Sequence, residues 1–223
     1  MGNVEVDIRT RLHPFLLAAS LEVRDELLAL VGPGGSGKSI LLRSIAGIYT
    51  PDDGTIVSEG TVLFNGVLGV NLPPNERRIG YVPQNFALFP HLSVEENIAF
   101  PLRKATSQAS SESATRVNDI IELLRLGRIR RQRPADISTA DRVWVAIARA
   151  LIVDPDILLL DDTFASLDQA ERQQARHGFA ALRNAIHVAT IVATGELEEA
   201  CEIGDRVAIL ERGRVLQVDH PAN

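Results

Sequence analysis

Cysteine, lysine and aromatic residues are scarce in this sequence of 223 residues, and long apolar runs are missing from it. The single cysteine, Cys201, excludes an internal disulfide bond and is typical of a protein from a reducing compartment. Without a run of about 18 apolar residues or a charged-then-apolar leader, we expect a soluble chain that is not exported. The formal net charge of −6, with no obviously basic face, disfavours a nucleic-acid partner.

The chain is nevertheless rich enough in hydrophobic residues, at 45%, to bury a sizeable core, and its length is typical of one domain. Apolar alternation in "VEVDIRTRL" and "FLLAASLEV" predicts an N-terminal antiparallel β subdomain. Predicted strands then alternate with predicted helices, beginning with the buried strand "ELLALV" (26–31). Such alternation is typical of an α/β fold in which helices cover a mainly parallel sheet.

One stretch of the chain, residues 86–150, shows helical patterns without intervening strands. Within it, "SVEE" (93–96) has the Ser-x-x-Glu form that predicts a capping box at a helix start. We therefore predict an inserted α-helical subdomain over 86–150, between two parts of the core at 1–85 and 151–223.

A phosphate-binding loop is predicted from "GPGGSGKS" (32–39), which matches G-x-x-x-x-G-K-[ST] with a strand before it and a helix after it. Glycines in such a loop let backbone N–H groups wrap phosphates, and the following helix directs its positive end at them. We expect Lys38 to contact the β- and γ-phosphates of a nucleotide and Ser39 to ligate Mg²⁺. The other predicted nucleotide contacts are Gly32, Gly34, Gly35, Ser36, Gly37 and Ile40.

A pair of carboxylates ends the apolar strand in "ILLLDDTFASLD" (157–168). A P-loop protein needs an acidic residue at the end of a neighbouring strand to hold Mg²⁺, and Asp161 is the candidate. The structural alternative is an acid that merely caps the turn after the strand. Asp162 either polarises the water that attacks the γ-phosphate or is a solvated neighbour without a role.

With these motifs in place, the sequence resembles the ATP-binding cassette (ABC) ATPases, the motor subunits of ABC transporters. The segment "RRIGYVPQNFALFPHLSVEENI" is similar to the glutamine loop of that family, and "VWVAIARAL" to the helix that follows its signature. "ILLLDDTFASLD" resembles the second nucleotide-binding motif with the dimer-contacting loop, and "ATGELEEA" the switch-histidine region. The resemblance implies a P-loop NTPase core, the cofactors ATP and Mg²⁺, and a head-to-tail dimer.

Several residue roles follow from the resemblance alone. Gln84 would contact Mg²⁺ and the attacking water, and Asp162 would be the catalytic base. Lys38 would complete the catalytic set, and Ser138 of the signature would reach the γ-phosphate across the dimer. Phe15 lies where some importer cassettes stack an aromatic residue on adenine, but strand core is an equal alternative for it.

Within the family, the chain is most similar to importer cassettes of the molybdate, tungstate and sulfate group. This likeness implies a transmembrane permease and a second ATPase subunit as partners, in a homo- or heterodimer. It also implies a cytoplasmic location, peripheral on the inner face of the cell membrane.

The signature region departs from the family pattern. Where the family has Leu-Ser-Gly-Gly-Gln, this chain has "ISTAD" (137–141), which keeps Ser138 but loses both glycines. Asp141 is expected to direct a negative charge towards a negatively charged ligand. The same four residues "STAD" still predict a helix start by side-chain capping. Trp144 occupies a position where the family commonly has arginine.

Two further departures affect the expected catalytic residues. Asp162 replaces the family's catalytic glutamate and is one methylene shorter, and displacement by about 1 Å can cost on the order of a hundredfold in rate. Gly195 replaces the switch histidine, and a missing acid–base group typically costs roughly 10² to 10⁴ in rate. Thr194 is the neighbouring hydroxyl that could compensate.

Two functional hypotheses remain. The first is an ATP-hydrolysing subunit of an ABC transporter, an importer of an oxyanion-like solute, with slow turnover. The second is a pseudo-ATPase that dimerises on ATP with negligible turnover. We favour the first, because the P-loop, Gln84, Asp161 and an acidic residue at 162 are all retained. A soluble ABC protein acting on ribosomes or DNA fits worse, since neither a second cassette nor a coiled-coil insertion is present.

Overall fold

Strands and helices alternate through most of the chain in the computed structural model, which describes residues 3–104, 111–186 and 188–221. The strands of these residues are β1 (Asn3–Leu12), β2 (Phe15–Arg24), β3 (Leu27–Val31), β4 (Asp53–Ser58), β5 (Thr61–Asn65), β6 (Val70–Asn71), β7 (Ile79–Val82), β8 (Ile157–Asp161), β9 (Ala189–Thr194), β10 (Arg206–Glu211) and β11 (Arg214–Asp219). The α-helices are α1 (Lys38–Ile45), α2 (Val94–Ala99), α3 (Ser111–Leu123), α4 (Thr139–Leu151), α5 (Gln169–Ala185) and α6 (Leu197–Ile203). Short 3₁₀ helices cover Pro74–Glu76, Phe100–Lys104, Gly127–Ile129 and Pro134–Asp136.

All the strands join in one mixed sheet, in the order β6-β5-β4-β1-β2-β11-β10-β3-β9-β8-β7. The part from β10 to β7 is parallel, and the part from β6 to β2 is antiparallel. Strand β11 connects them, because it pairs antiparallel with β10 and, through Arg214 and Ala18, parallel with β2. The predicted α/β fold is confirmed, and the predicted antiparallel N-terminal part is continuous with the core sheet.

Burial along the strands explains why the two parts differ. In β1 alternate residues are buried, so that one face covers the core and the other is open to solvent. In β3, β8 and β9 every residue is buried, as expected for central parallel strands covered by helices on both faces. The carboxyl ends of β3, β8 and β9 therefore meet at one edge of the sheet, where the loops that carry the candidate site begin.

Helix α4 connects the helical region to the sheet by burying two faces. Val143 and Ile147 pack in the core cluster that contains Leu158 of β8. Val145 and Ala148 pack instead against residues of α2 and α3. The predicted capping box is confirmed at α2, where Ser93 and Glu96 bond each other's backbone N–H groups. In the described part of the chain, no helix has both the length and the apolar character needed to cross a bilayer.

Candidate nucleotide-binding site

The glycines of residues 32–39 give the loop between β3 and α1 its shape. Gly35 and Gly37 have φ angles of +78° and +111°, which residues with side chains rarely adopt. At Gly32, a Cβ would lie 2.1 Å from the carbonyl oxygen of Leu210, so that only glycine allows this close approach. Gly34 differs, because a Cβ there would meet nothing within 4 Å. Backbone geometry thus demands glycine at three of the four positions.

Lys38 lies in the concavity of this loop, with only 5% of its surface exposed. Its Nζ donates to the carbonyl oxygens of Gly32, at 2.8 Å, and Pro33, at 3.3 Å. The Ser36 hydroxyl of the same loop is buried and has no hydrogen-bond partner. A buried ammonium that donates to two neutral carbonyl oxygens, beside an unsatisfied hydroxyl, fits an anionic ligand such as a phosphate chain.

Asp161 ends β8 and is 1% exposed, yet both of its carboxylate oxygens are satisfied. The Ser39 hydroxyl donates to Oδ1 at 2.8 Å, and the Tyr81 hydroxyl donates to Oδ2 at 2.9 Å. Burial raises the pKa of Tyr81 to about 12, so this hydroxyl keeps its proton and remains a donor at neutral pH. The structure therefore brings Ser39 and Asp161 together, as oxygen donors of the kind that Mg²⁺ prefers.

Ser39 and Asp161 would supply only part of the ligands of a Mg²⁺ ion. No group of three or more His, Cys, Asp or Glu side chains that could hold a metal ion occurs among residues 3–104, 111–186 and 188–221. Mg²⁺ commonly binds through one or two protein oxygens and takes its other ligands from phosphates and water. The Ser39–Asp161 pair next to the phosphate-binding loop suits that mode.

Asp162 follows directly in a left-handed backbone conformation, with φ of +46°, and is half-buried. Its N–H donates to the carbonyl oxygen of Ala193 in β9 at 3.1 Å, which fixes the turn beside the loop. Burial raises the pKa of its carboxyl, Lys38 lowers it and Asp161 raises it. A carboxylate with a raised pKa is a better proton acceptor than an ordinary exposed one.

Gln84 is exposed and lies two residues beyond the end of β7. Val82, the last residue of β7, pairs with Leu160 near the end of β8, so Gln84 follows at the carboxyl edge of the sheet. The structure thus brings Lys38, Ser39 and both carboxylates together, and Gln84 lies at the same edge of the sheet.

The Phe15 ring lies against the phosphate-binding loop. Its Cε2 is 3.7 Å from the position that a Cβ on Gly37 would occupy, and the residue also packs against the core beneath. Ile40, in the first turn of α1, is half-buried against the same core. Both residues lie close to the loop. The packing of Phe15 against the core agrees with the strand-core alternative, and its contact with adenine stays a prediction.

Gly195, at the position expected for the switch histidine, has no side chain, but the surrounding space would accommodate one. Gly195 is exposed, and a Cβ built on it would meet nothing within 4 Å. The hydroxyl of Thr194 donates to the carboxylate of Glu199 in α6 and accepts from the N–H of Glu196 at 3.1 Å. Thr194 is therefore engaged with α6, and the expectation that it could compensate for a lost histidine is wrong.

Ser138 caps α4, because its Oγ accepts from the N–H of Asp141 at 3.0 Å. The helix start predicted from "STAD" is confirmed. Asp141 is buried, with 8% of the residue exposed, and its carboxylate accepts a hydrogen bond from Arg128. The expectation that Asp141 directs its charge towards a ligand is therefore wrong, since a guanidinium within the same chain compensates that charge.

Trp144 fills space between α4 and α5. A Cβ on Gly178 of α5 would lie 2.9 Å from the Trp144 ring atom Cζ2, so the indole packs directly on that glycine. Trp144 also contacts the two hydrophobic clusters that meet at α4. The residue that replaces the common arginine of the family thus has a packing role.

Comparison with protein families decides the affiliation of the chain. The sequence profile described as "ABC transporter" matches residues 18–165, which include the phosphate-binding loop and both carboxylates. The chain belongs to the ABC transporter family. The predicted resemblance is confirmed, although the profile match ends before Gly195.

Among similar curated ABC proteins are sulfate/thiosulfate import ATP-binding proteins CysA. The protein of Mycobacterium tuberculosis (strain ATCC 25618 / H37Rv) is 40% identical over 197 residues, covering 88% of this chain and 54% of the relative. That of Caulobacter vibrioides is 43% identical over 213 residues, covering 94% of this chain and 61% of the relative. The chain therefore spans little more than half the length of these relatives. Their names agree with the predicted likeness to oxyanion importer cassettes.

Two solved ABC structures share the fold. One is the cassette MJ0796, a dimer in a post-hydrolysis state bound to ADP and Pi, with a TM-score of 0.80, 25% identity and full coverage of both chains. The other is cbiO1 from Clostridium perfringens, part of the transporter complex cbiONQ, with a TM-score of 0.83 and 22% identity. It covers 98% of this chain and 88% of cbiO1, and at this identity the likeness concerns the fold alone.

Proposed function

We propose that this chain is the ATP-binding and ATP-hydrolysing part of an ABC importer for an oxyanion-like solute, with slow hydrolysis. The observation that carries the proposal is the convergence of the buried Lys38 ammonium, the Ser39–Asp161 pair and the Asp162 carboxylate at one edge of the sheet. The names of the sulfate/thiosulfate relatives support the solute class.

ATP and Mg²⁺ are the proposed cofactors. Lys38 and the backbone N–H groups of residues 32–39 would hold the phosphates, and Phe15 and Ile40 would border the nucleotide. Ser39 and Asp161 would hold Mg²⁺, with Gln84 at the same edge. When bound, the ion would neutralise charge on the phosphate oxygens.

Asp162 is the proposed base for the attacking water. The raised pKa of this half-buried carboxyl favours proton uptake, which is what a general base needs. Its shorter side chain and the missing side chain at Gly195 are the reasons to expect slow turnover. Ser138, exposed at the start of α4, is the proposed contact to the γ-phosphate bound by a second ATPase subunit, in a homo- or heterodimer.

A transmembrane permease is the other proposed partner, and it would hold the chain at the inner face of the membrane. The proposed docking surface is the loop between β7 and α2. Buried Asn97 fixes that loop through bonds to both backbone groups of Phe89, and Arg149 donates to the carbonyl oxygens of Phe86 and Ala87 at 2.7 Å. Beside it lies a cleft of about 460 Å³ lined by Asn85, Phe86, Leu88, Pro90, Pro134, Ala135 and Arg142.

Co-expression with any transmembrane subunit that is encoded beside this chain tests the transport role. We expect co-purification of the two proteins and loss of the complex in Asn97→Ala, because that variant releases the loop at Phe89. An absence of association with the parent chain in detergent and in lipid would contradict the importer proposal.

The pseudo-ATPase alternative is favoured by the empty switch position and the altered signature. If these substitutions alone abolish turnover, then Gly195→His combined with Asp162→Glu and with Gly at positions 139 and 140 should produce hydrolysis from an inactive parent. If the parent is inactive and the variant that carries all of these substitutions is also inactive, other features of the chain limit the rate of hydrolysis.

A further inference from the structure

We propose that Tyr81 is a positioning residue for Mg²⁺ binding, which it supports by fixing the orientation of the Asp161 carboxylate. The inference rests on the proposed function, since it concerns the metal ion of the same site. Neither the phosphate-binding motif nor the acidic strand end includes Tyr81, and its hydroxyl becomes relevant only through the three-dimensional arrangement of β7, β8 and α1.

The strand register brings Tyr81 next to Asp161. Strands β7 and β8 are parallel, and Tyr81 pairs with Leu159. Asp161 lies two residues beyond Leu159, and residues two apart on a strand share a face of the sheet. Tyr81 and Asp161 therefore project from the same face.

Helix α1 covers that face and adds two more polar side chains. Ser39 and Arg43 are four residues apart, so they lie on the same side of the helix. Ser39 donates to Oδ1 of Asp161, while the Nε of Arg43 donates to the Tyr81 hydroxyl at 3.4 Å. Ser39 of α1 and Tyr81 of β7 thus both donate to the Asp161 carboxylate of β8, and Arg43 of α1 donates to Tyr81.

The hydrogen bonds give the two carboxylate oxygens different roles. A phenol has one proton to donate, and Tyr81 donates it to Oδ2 of Asp161 while its oxygen accepts from Arg43. Oδ2 is thereby occupied, and Oδ1 faces Ser39, the other proposed Mg²⁺ ligand. At 1% exposure Asp161 has little access to water that could replace the phenol.

The variant Tyr81→Phe removes only the hydroxyl. It leaves Oδ2 buried without its donor, so that the carboxylate is held through Oδ1 by Ser39 and its orientation is less tightly fixed. Loss of a partner that orients a metal ligand typically weakens metal binding by about 10- to 100-fold. We expect about a tenfold rise in the Mg²⁺ concentration needed for half-maximal nucleotide binding. Metal-free nucleotide affinity should be unchanged, because the Tyr81 hydroxyl bonds Arg43 and Asp161 rather than the phosphate-binding loop.

The test is the Mg²⁺ dependence of binding of the fluorescent nucleotide N-methylanthraniloyl-ADP, which avoids turnover. The matched control is Tyr49→Phe at the only other tyrosine of the chain, which is half-buried beyond the end of α1. We expect the Mg²⁺ midpoint to rise about tenfold in Tyr81→Phe and to stay at the parent value in Tyr49→Phe. Affinity in EDTA should be equal in all three proteins.

An unchanged Mg²⁺ midpoint in Tyr81→Phe would overturn the inference. A lower nucleotide affinity in EDTA, or a lower unfolding temperature, would also overturn it if that change explained the whole shift of the Mg²⁺ midpoint. Either result would indicate a merely structural role for Tyr81. If Tyr81→Phe does not fold, Arg43→Gln provides the second variant, and it should raise the midpoint without changing affinity in EDTA. If the parent chain shows no Mg²⁺-dependent nucleotide binding, the proposed function is refuted. If the parent shows such binding and Tyr81→Phe has the same Mg²⁺ midpoint, only this inference is refuted.

Discussion

Introducing histidine at Gly195 should increase the rate of ATP hydrolysis. The site accepts the substitution, because a Cβ there meets nothing within 4 Å and the backbone is not left-handed. Gly195 directly follows β9, which lies between the strands that end at the phosphate-binding loop and at Asp161. A histidine at this position can therefore supply the polar group that the chain lacks.

The expected increase in kcat is about 10²-fold, the lower end of the contribution of a positioned acid–base group. This corresponds to about 2.7 kcal/mol of activation free energy. We choose the lower end because Asp162 and the altered signature remain. The free energy of unfolding should change by less than about 1 kcal/mol, since the new side chain enters open space and mainly restricts the unfolded chain.

The assay is steady-state phosphate release with saturating Mg-ATP for the parent, Gly195→His and the control Gly127→His. Gly127 is also exposed, and a Cβ there also meets nothing within 4 Å, but it lies in the helical region. We expect the rate to rise only in Gly195→His. A folded, nucleotide-binding Gly195→His protein that is no faster than Gly127→His would refute the view that the empty switch position limits turnover.

Three other substitutions test separate features of the site. Asp162→Asn should abolish turnover yet raise the unfolding temperature at pH 7.5. Burial raises the pKa of the Asp162 carboxyl, so the ionised carboxylate destabilises the fold above that pKa. The difference in unfolding temperature between variant and parent should therefore vanish as the pH falls through that pKa. Ser138→Ala should remove the α4 cap, lowering stability by about 1 kcal/mol and the unfolding temperature by about 2–4 °C, whereas an unchanged temperature would contradict capping. Thr194→Val leaves the buried Glu199 carboxylate without a hydroxyl donor and should cost about 1–3 kcal/mol in urea unfolding; an unchanged midpoint would refute that role.

The phosphate-binding loop was predictable because its chemistry is local. Strand, glycines, lysine and helix follow one another within residues 27–45, and the backbone requirements at Gly35 and Gly37 come from the same short segment. The long parallel-sheet pattern was equally accessible, since buried strands such as β8 are continuous apolar runs. Strand β4 was not predicted from the sequence, because "DGTIVS" carries only a short, weak apolar pattern.

The errors and omissions concern contacts between separate segments. The pairing of Asp141 with Arg128 joins residues 13 positions apart in the chain, and no periodic pattern predicts it. The Thr194–Glu199 bond depends on how α6 folds back after β9. The Tyr81–Asp161 bond requires the register of β7 against β8, although the alternation of "RRIGYVPQ" and the four-residue spacing of Ser39 and Arg43 were signals that could have indicated it.

ATP hydrolysis by the purified chain is the central claim, and steady-state phosphate release with Mg-ATP tests it most directly. Lys38→Ala is the blank, since it removes the buried ammonium that the loop encloses. We predict a slow rate that exceeds this blank and is lost in EDTA. The contradicting result is a parent rate equal to that of Lys38→Ala, even with the permease present, while titration shows that the parent still binds nucleotide. The chain would then be a nucleotide-binding subunit without turnover.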